Sequence, residues 1–425
     1  MSRFILKGDI LYSETPSKLS TWKDGVLIVE DGVSKGVFPE VPASFANAPI
    51  HDYTGHLIIP GLIDLHLHAP QYAFRGMWMD EELLDWLNKH TFPIEARYKE
   101  AAFAEEAYKI FTQDLRRSAT TRAVMFSTIH KEATIRLMEA MEETGLVSYV
   151  GKVNMDRHSP DILREESAQA SVQDTIAWLD EVAGRFQNTH PIITPRFVPS
   201  CSDELMEGLG AIVKERGLPV QSHLSENYSE IEWVKQLSPD SANYGDAYDR
   251  FHLFGSEGKA IMAHCNHSPD EEVRLMKRRG TFVAHCPDSN ANLASGIAPV
   301  RRYLDEGVHV GLGTDVAGGA TVSLFTTIRE AVQHSKLRWR LVDGELPWLT
   351  FAEAFFLATA GGGAFFGKVG SFAEGFAADA LVLDEHGIPT PLMKELTPQE
   401  RLERFIYLGH EGSVLHKYVQ GVKLF

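Results

Sequence analysis

The stretch Pro60-Gly61-Leu62-Ile63-Asp64-Leu65-His66-Leu67-His68 opens on a turn dipeptide, runs through apolar residues and ends in two imidazoles. A short apolar run bounded by Pro-Gly reads as a buried strand. Side chains two apart on a strand share a face, so His66 and His68 point the same way. A strand ending on two such imidazoles forms half of a metal site. The pair is weak evidence alone, and its meaning depends on what the other strand ends carry.

Outward from this stretch, short apolar runs alternate with helical segments. The expected strands cover residues 62–67, 121–126, 146–155, 192–197, 219–223, 259–264, 281–285 and 309–315. Between them, apolar residues recur at three- and four-residue steps, as in Ile176, Leu179, Val182, Phe186 and in Leu205, Leu209, Ile212, Val213. Eight strands alternating with helices predict an α/β fold, a parallel (β/α)8 TIM-type barrel. Residues 1–56 read as β, with Asp31-Gly32 as a tight hairpin turn. The chain returns to β character at 378–384 and 415–422. Neither end buries a core alone, so residues 1–56 and 371–425 are expected to build one small β-sandwich domain beside the barrel of residues 57–370.

Barrel enzymes carry their catalytic groups at the C-terminal ends of strands. Those ends supply His66 and His68, His223, His264 and Asp315. Imidazoles with a carboxylate suit a borderline ion such as Zn²⁺, with a position left for water. Such an ion lowers the pKa of bound water towards ~7. Glu226, three residues after His223, is placed to shuttle a proton between water and a leaving group; away from such a setting it would be a solvent-facing acid at a helix start.

Pro60-Gly61-x-x-Asp64-x-His66-x-His68, His223 with Glu226, His264 and Gly311-Leu312-Gly313-Thr314-Asp315 together resemble the amidohydrolase superfamily. Within it, His68-Ala69-Pro70-Gln71-Tyr72, the block from Asp85 to Arg97, Thr194-Pro195-Arg196-Phe197 and Gly313 to Gly319 are similar to its guanine-deaminating branch. The resemblance spans about residues 57 to 370. It implies one Zn²⁺ per chain, held by His66, His68, His223 and Asp315, and hydrolysis of free guanine to xanthine and ammonia by a zinc-activated water. It further implies that Glu226 protonates a ring nitrogen and helps expel ammonia, that His264 and Asp315 orient and deprotonate the water, and that Gln71, Arg196 and Phe197 contact the base. Arg196 has a second reading as a structural ion-pair residue. A homodimer is implied by the family alone. Relatives acting on a triazine, pterin or modified purine are the nearest alternatives, and a non-catalytic scaffold the most remote, since such a protein would have lost His66, His68 or Glu226.

Residues 71 to 97 are too long and aromatic for a plain loop, and Phe74, Trp78, Trp86 and Phe92 are expected to cap a flat base. His130 and His285 are not expected among the metal ligands, and Lys152 reads as structural rather than as a bridge between two metals. Two positions depart from the superfamily pattern. Its usual Gly-Lys-x-Ala-Asp block here reads Gly375-Phe376-Ala377-Ala378-Asp379, and Arg122 follows Thr120-Thr121 where a threonine is usual.

Bulk properties narrow the class. The 41 basic and 58 acidic residues give a net charge of −17, which disfavours a nucleic-acid partner. The His-x-Glu with Pro-Cys-x-x-Cys pattern of deaminases that work on flipped bases is absent. No run approaches the ~20 apolar residues of a membrane span, and no membrane partner is expected. The 3 cysteines show no ligand spacing and read as reduced thiols of a cytoplasmic protein.

Overall fold

The computed structural model describes residues 3–425. Four strands come first: β1 (Arg3–Thr15), β2 (Lys18–Glu30), β3 (Val33–Phe38) and β4 (Ile50–Pro60). Asp31 and Gly32 both have positive φ, +49° and +77°, as a tight hairpin between β2 and β3 requires. Ten short strands follow: β5 (Leu62–His68), β6 (Thr120–Phe126), β7 (Val147–Gly151), β8 (Val153–Asn154), β9 (Thr189–Pro191), β10 (Thr194–Pro195), β11 (Val220–Leu224), β12 (Ala260–His264), β13 (Phe282–His285) and β14 (His309–Leu312). The chain closes with β15 (Ala380–Leu383), β16 (Val414–Val419) and β17 (Val422–Lys423).

The middle strands are all parallel, in the orders β5-β6-β7-β9 and β11-β12-β13-β14, with β10 beside β8. Both gaps between the two larger sheets carry backbone bonds. At one, a parallel bridge joins Ile193 to Val220. At the other, Asp315 N donates to His66 O (2.8 Å) and His68 N to Val316 O (3.0 Å). The third expected strand is broken in two at Lys152. Of the fourth, only Thr194–Pro195 is strand, and β9 lies just before its expected start; Pro191 and Pro195, which bring no N–H to a ladder, each close one of these two short strands.

Helices lie between the strands as the periodicity requires. In Asp203–Arg216 the buried face is Leu205, Met206, Leu209, Ile212 and Val213. Ser202 caps its start by accepting from Leu205 N, and Gly217, at φ +64°, ends it. No helix is long and apolar enough to cross a membrane among the described residues.

The two ends of the chain meet in one seven-stranded sheet of order β17-β16-β15-β4-β1-β2-β3. Along its first two strands Phe4, Leu6, Leu27 and Val29 join one apolar cluster while Ile5, Val26 and Ile28 join another. That alternation is what a sheet with both faces covered demands.

Arg122, one of the two departures, finds its partner in Asp379, the acid that ends the other block. Arg122 Nε donates to Asp379 Oδ2 at 2.6 Å, with both side chains almost fully buried. Asp379 Oδ1 also accepts from Gln420 N (2.7 Å), and Asp379 O accepts from Gly61 N (3.0 Å), just before β5. The pair therefore ties the strand after β5 to the sheet made by the chain ends. Removing one member of a buried ion pair strands the other's charge. Arg122→Met is expected to cost about 3–5 kcal/mol of stability by denaturant unfolding, and Arg122→Met with Asp379→Leu to recover much of it. A single variant as stable as the parent would show that the pair holds nothing together.

Candidate active site

The strand ends bring their imidazoles and acids to one point. His66 and His68 finish β5, His223 lies one residue before the end of β11, and His264 ends β12. Asp315 follows β14 and is pinned beside β5 by its N–H on His66 O. Gly313 lets the two segments touch, since a Cβ there would lie 2.9 Å from both His66 Cβ and Cys286 Sγ. Asp64 completes the pin. Its carboxylate accepts from Thr314 N (3.0 Å), Thr314 Oγ1 (2.5 Å) and His66 N (3.2 Å), while burial pushes its pKa up to about 7. His264 and Asp315 have positive φ, +71° and +48°, a conformation costly for residues with a Cβ and concentrated at functional sites.

Asp315 Oδ1 is 3.1 Å from His66 Nε2 and 3.4 Å from His68 Nε2, and His68 Nε2 is 3.2 Å from His223 Nε2. Two ligands each ~2.1 Å from one tetrahedral ion stand roughly 3.4 Å apart. The donor set thus has the spacing of a shared cation. Both ring nitrogens of His66 are buried and without a hydrogen bond, an expensive state that a cation at Nε2 would relieve. Burial holds the pKa values of His66, His68 and His223 down, keeping the neutral form that binds metal. Burial would raise Asp315, but His66, His264 and His68 hold its carboxyl far below the usual range. His223 donates Nδ1–H to Arg196 O at 2.6 Å, which fixes Nε2 as the free nitrogen.

His264 and Glu226 face each other beside this group. His264 Nε2 is 3.4 Å from Glu226 Oε2 and 3.7 Å from Asp315 Oδ2. Burial works against charge on His264, but Glu226 and Asp315 together raise its pKa. Burial raises Glu226 too, opposed by His264 and reinforced by Asp315, and Ser295 Oγ donates to its Oε1 (2.9 Å). An amide chain supports both groups. His264 Nδ1 bonds Asn290 Oδ1 (2.9 Å), Asn290 Nδ2 donates to Asn266 Oδ1 (2.8 Å), and Asn266 Nδ2 to Glu226 O (3.1 Å).

Above the donors is a cavity with about 410 Å³ of empty space, partly open to solvent. His68, His223, Glu226, His264 and Asp315 form its floor, and Gln71, Leu83, Trp86, Arg196 and Phe197 are among its walls. The aromatic segment closes it with short helical pieces, including a π-turn at Leu87–Thr91. Phe74, Trp86 and Phe92 are buried, whereas Trp78 is 41% exposed and stacks on His90 at 4.4 Å. Three of the four expected cap aromatics are thus packed inward, and Trp86 alone reaches the cavity.

Arg196 satisfies both of its readings. It lines the cavity and also pairs with buried Glu95, Nη1 to Oε2 at 2.6 Å and Nη2 to Oε1 at 3.2 Å. Gln71 Nε2 donates to the same Glu95 (2.9 Å), and its Oε1 accepts from Ala317 N (3.3 Å). Sequence reading missed Glu95, although it stands in the block from Asp85 to Arg97. It also missed Glu230, a wall residue that accepts from Glu226 N and Tyr244 Oη and whose pKa burial and Glu226 push up to about 7. Lys152, His130 and His285 are absent from the cavity wall; Lys152 is buried against Glu165 (2.5 Å).

Parallel strands ending in a buried histidine–aspartate cluster are the architecture of a metal-dependent hydrolase. The chain belongs to the amidohydrolase family, whose profile matches residues 57–424. It is 39% identical over 379 residues to the guanine deaminase of Dictyostelium discoideum, covering 88% of this chain and 83% of that one. To the mouse guanine deaminase it is 36% identical, covering 98% and 95%. The crystal structure of guanine deaminase from C. acetobutylicum, with guanine bound in its active site, superposes with a TM-score of 0.96 at 44% identity over the whole of both chains.

The amide chain behind His264 is open to test. Asn290→Ala removes the acceptor at His264 Nδ1 and leaves Asn266 short of a donor, and is expected to cost about 1–3 kcal/mol in chemical denaturation. A loss within experimental error would mean that His264 is held by its metal-side contacts alone.

Proposed function

We propose that the chain hydrolyses free guanine to xanthine and ammonia. The observation that carries this reading is the full-length similarity to a deaminase crystallised with guanine, together with a cavity of matching chemistry: an acid–imidazole floor, an aromatic wall and one amide and one guanidinium aimed inward. His66, His68, His223 and Asp315 would hold one Zn²⁺. When bound, such an ion lowers the pKa of water towards ~7 and supplies a nucleophile near neutral pH.

The chain's own residues do the rest. His264 and the free oxygen of Asp315 orient the attacking water towards C2 of the base and accept its proton. Glu226, raised by burial, gives a proton to a ring nitrogen, which makes C2 more electrophilic. After attack, the departing amine takes up a proton through the same carboxyl and leaves as ammonia. Water contributes the oxygen at C2 and two protons, so the balance is guanine plus water to xanthine plus ammonia. Gln71 and Arg196 bind the polar edge of the base, and Trp86 and Phe197 cover its faces. A base with the wrong donor pattern would leave those buried groups unpaired, a penalty large enough to discriminate.

The same reading extends to architecture. The backbone bonds at both gaps support a closed (β/α)8 barrel over 57–370. The single mixed seven-stranded sheet, with an apolar cluster on each face, supports a small composite β domain from 1–56 and 371–425, built on one sheet in place of the expected sandwich of two. The homodimer implied by the family belongs to this reading as well, and sedimentation of the purified chain tests it. Three buried, unpaired cysteines are compatible with the cytoplasm as its location.

Ammonia release from guanine, adenine, cytosine, a pterin and a triazine, with metal content measured on the same sample, tests the function. Guanine alone should be turned over, with about one zinc per chain; ammonia from the triazine or pterin instead would overturn the substrate. Glu226→Gln should keep its metal yet lose about a hundred- to ten-thousandfold in kcat, and near-parent turnover would remove Glu226 from proton transfer. His66→Ala should lose metal and activity together.

A further inference from the structure

Glu95 sits behind the base pocket, where it touches no reacting atom and yet holds both polar side chains offered to the base. Its carboxylate takes the Arg196 fork on two oxygens and the Gln71 amide on one, and all three side chains are buried. Phe92, three residues earlier on the same turn, lies under the guanidinium with its ring centroid 4.9 Å from Arg196 Cζ. The π-turn at Leu87–Thr91 sets this register. One residue more or fewer before Glu95 would swing its side chain about 100° away from Arg196.

We propose that Glu95 is a positioning and charge-balancing residue that makes the pocket select a neutral purine base over an anionic one. This rests on the guanine reading above. Arg196 brings a guanidinium, a donor-only cation, to the pocket edge. Buried without a partner, it would draw in any flat anion that fits, because a desolvated charge gains most from an opposite one. The distinction matters for this reaction. Replacing the C2 amine of guanine by a carbonyl leaves a ring N–H between two carbonyls, so xanthine is the stronger acid and ionises first as pH rises. An unpaired guanidinium at that edge would therefore favour the product over the substrate, although Glu226, Glu230 and Asp315, with His68, His223 and His264, also line the cavity. With Glu95 in place the pair carries no net charge, and the pocket reads hydrogen-bond pattern instead. Glu95 also sets the Gln71 amide. A flip would turn Oε1 towards the carboxylate and Nε2 towards the N–H of Ala317, two like-against-like contacts. Only one orientation of donor and acceptor is left for the base.

The test is steady-state deamination of guanine, with xanthine as inhibitor, at about pH 6.5 and 8.5. The parent is compared with Glu95→Gln, which keeps size and loses charge, and Glu95→Asp, which keeps charge and shortens reach. In the parent, xanthine inhibition should stay flat or weaken as pH rises. Glu95→Gln should raise KM for guanine about ten- to a hundredfold, with a much smaller change in kcat, and its xanthine inhibition should tighten as pH rises. Glu95→Asp should raise KM without that tightening. A Glu95→Gln enzyme with parent KM and parent xanthine profile, differing only in thermal midpoint, would overturn the proposal and leave Glu95 a packing residue. If Glu95→Gln fails to fold, an unchanged KM in Glu95→Asp overturns it equally. A parent that releases no ammonia from guanine defeats the substrate reading instead, and calorimetric binding of xanthine and urate to the same proteins then decides the charge argument separately.

Discussion

The site depends on Asp64, whose carboxylate joins the first parallel strand to the segment after the last. It binds Thr314 twice and His66 N once, in a place without solvent. The result is that Asp315 and His66, 249 residues apart in sequence, stand 3.1 Å apart in space (315 − 66 = 249). A cluster of side chains drawn from four strand ends is only as well ordered as the seam between its most distant members. Gly313 matters for the same reason, since any side chain there would push that seam open. The strained backbone at His264 and Asp315 persists because these neighbours fix it from several sides.

Electrostatics at this point is a balance between burial and mutual support. Neutral imidazoles tolerate burial, and Asp315 tolerates it only because imidazoles surround it. Glu226 and His264 support each other's charged forms across 3.4 Å, while burial opposes both. Such a pair can pass a proton either way at small cost, as the proposed reaction requires. One shell further out the same logic recurs with Arg196 and Glu95. Trp86, Leu83 and Leu87 line the cavity with apolar surface, which lowers the local dielectric and strengthens each of these interactions.

The clustered histidines were legible because they end short apolar runs, and in a parallel α/β chain those ends share one rim. His66, His68, His223 and His264 could each be placed from a few neighbouring residues. Glu95, Glu230 and Asn290 could not. Glu95 lies in an aromatic helical segment with nothing local to mark it, and its meaning comes from Arg196, 101 positions away. Glu230 looks like, and is, the acid of a helix-start capping box with Asn227, which hid its place on the cavity wall. Arg122 stood out as odd for want of its partner Asp379, 257 positions on. The shortened fourth strand has a plainer cause: apolar composition predicts burial, and Pro191 and Pro195 limit the ladder there.

The surface charge and the pocket charge answer different questions. A net −17 acts over distances that salt screens within about 10 Å, so it biases which molecules approach and does not tell one neutral base from another. Discrimination must come from groups that lose water when the base enters. In the proposed reading those groups are Gln71 and Arg196, and both are already committed to Glu95 and, for Gln71, to the backbone of Ala317. Their remaining hydrogen-bonding capacity is therefore fixed in direction before any ligand arrives. A pocket preorganised in this way gains little from flexibility and loses much from a small displacement. The rigid seam at Asp64 and the fixed turn at Glu95 thus serve one end: reacting atoms and reading atoms are held by separate parts of the chain that meet only across the cavity.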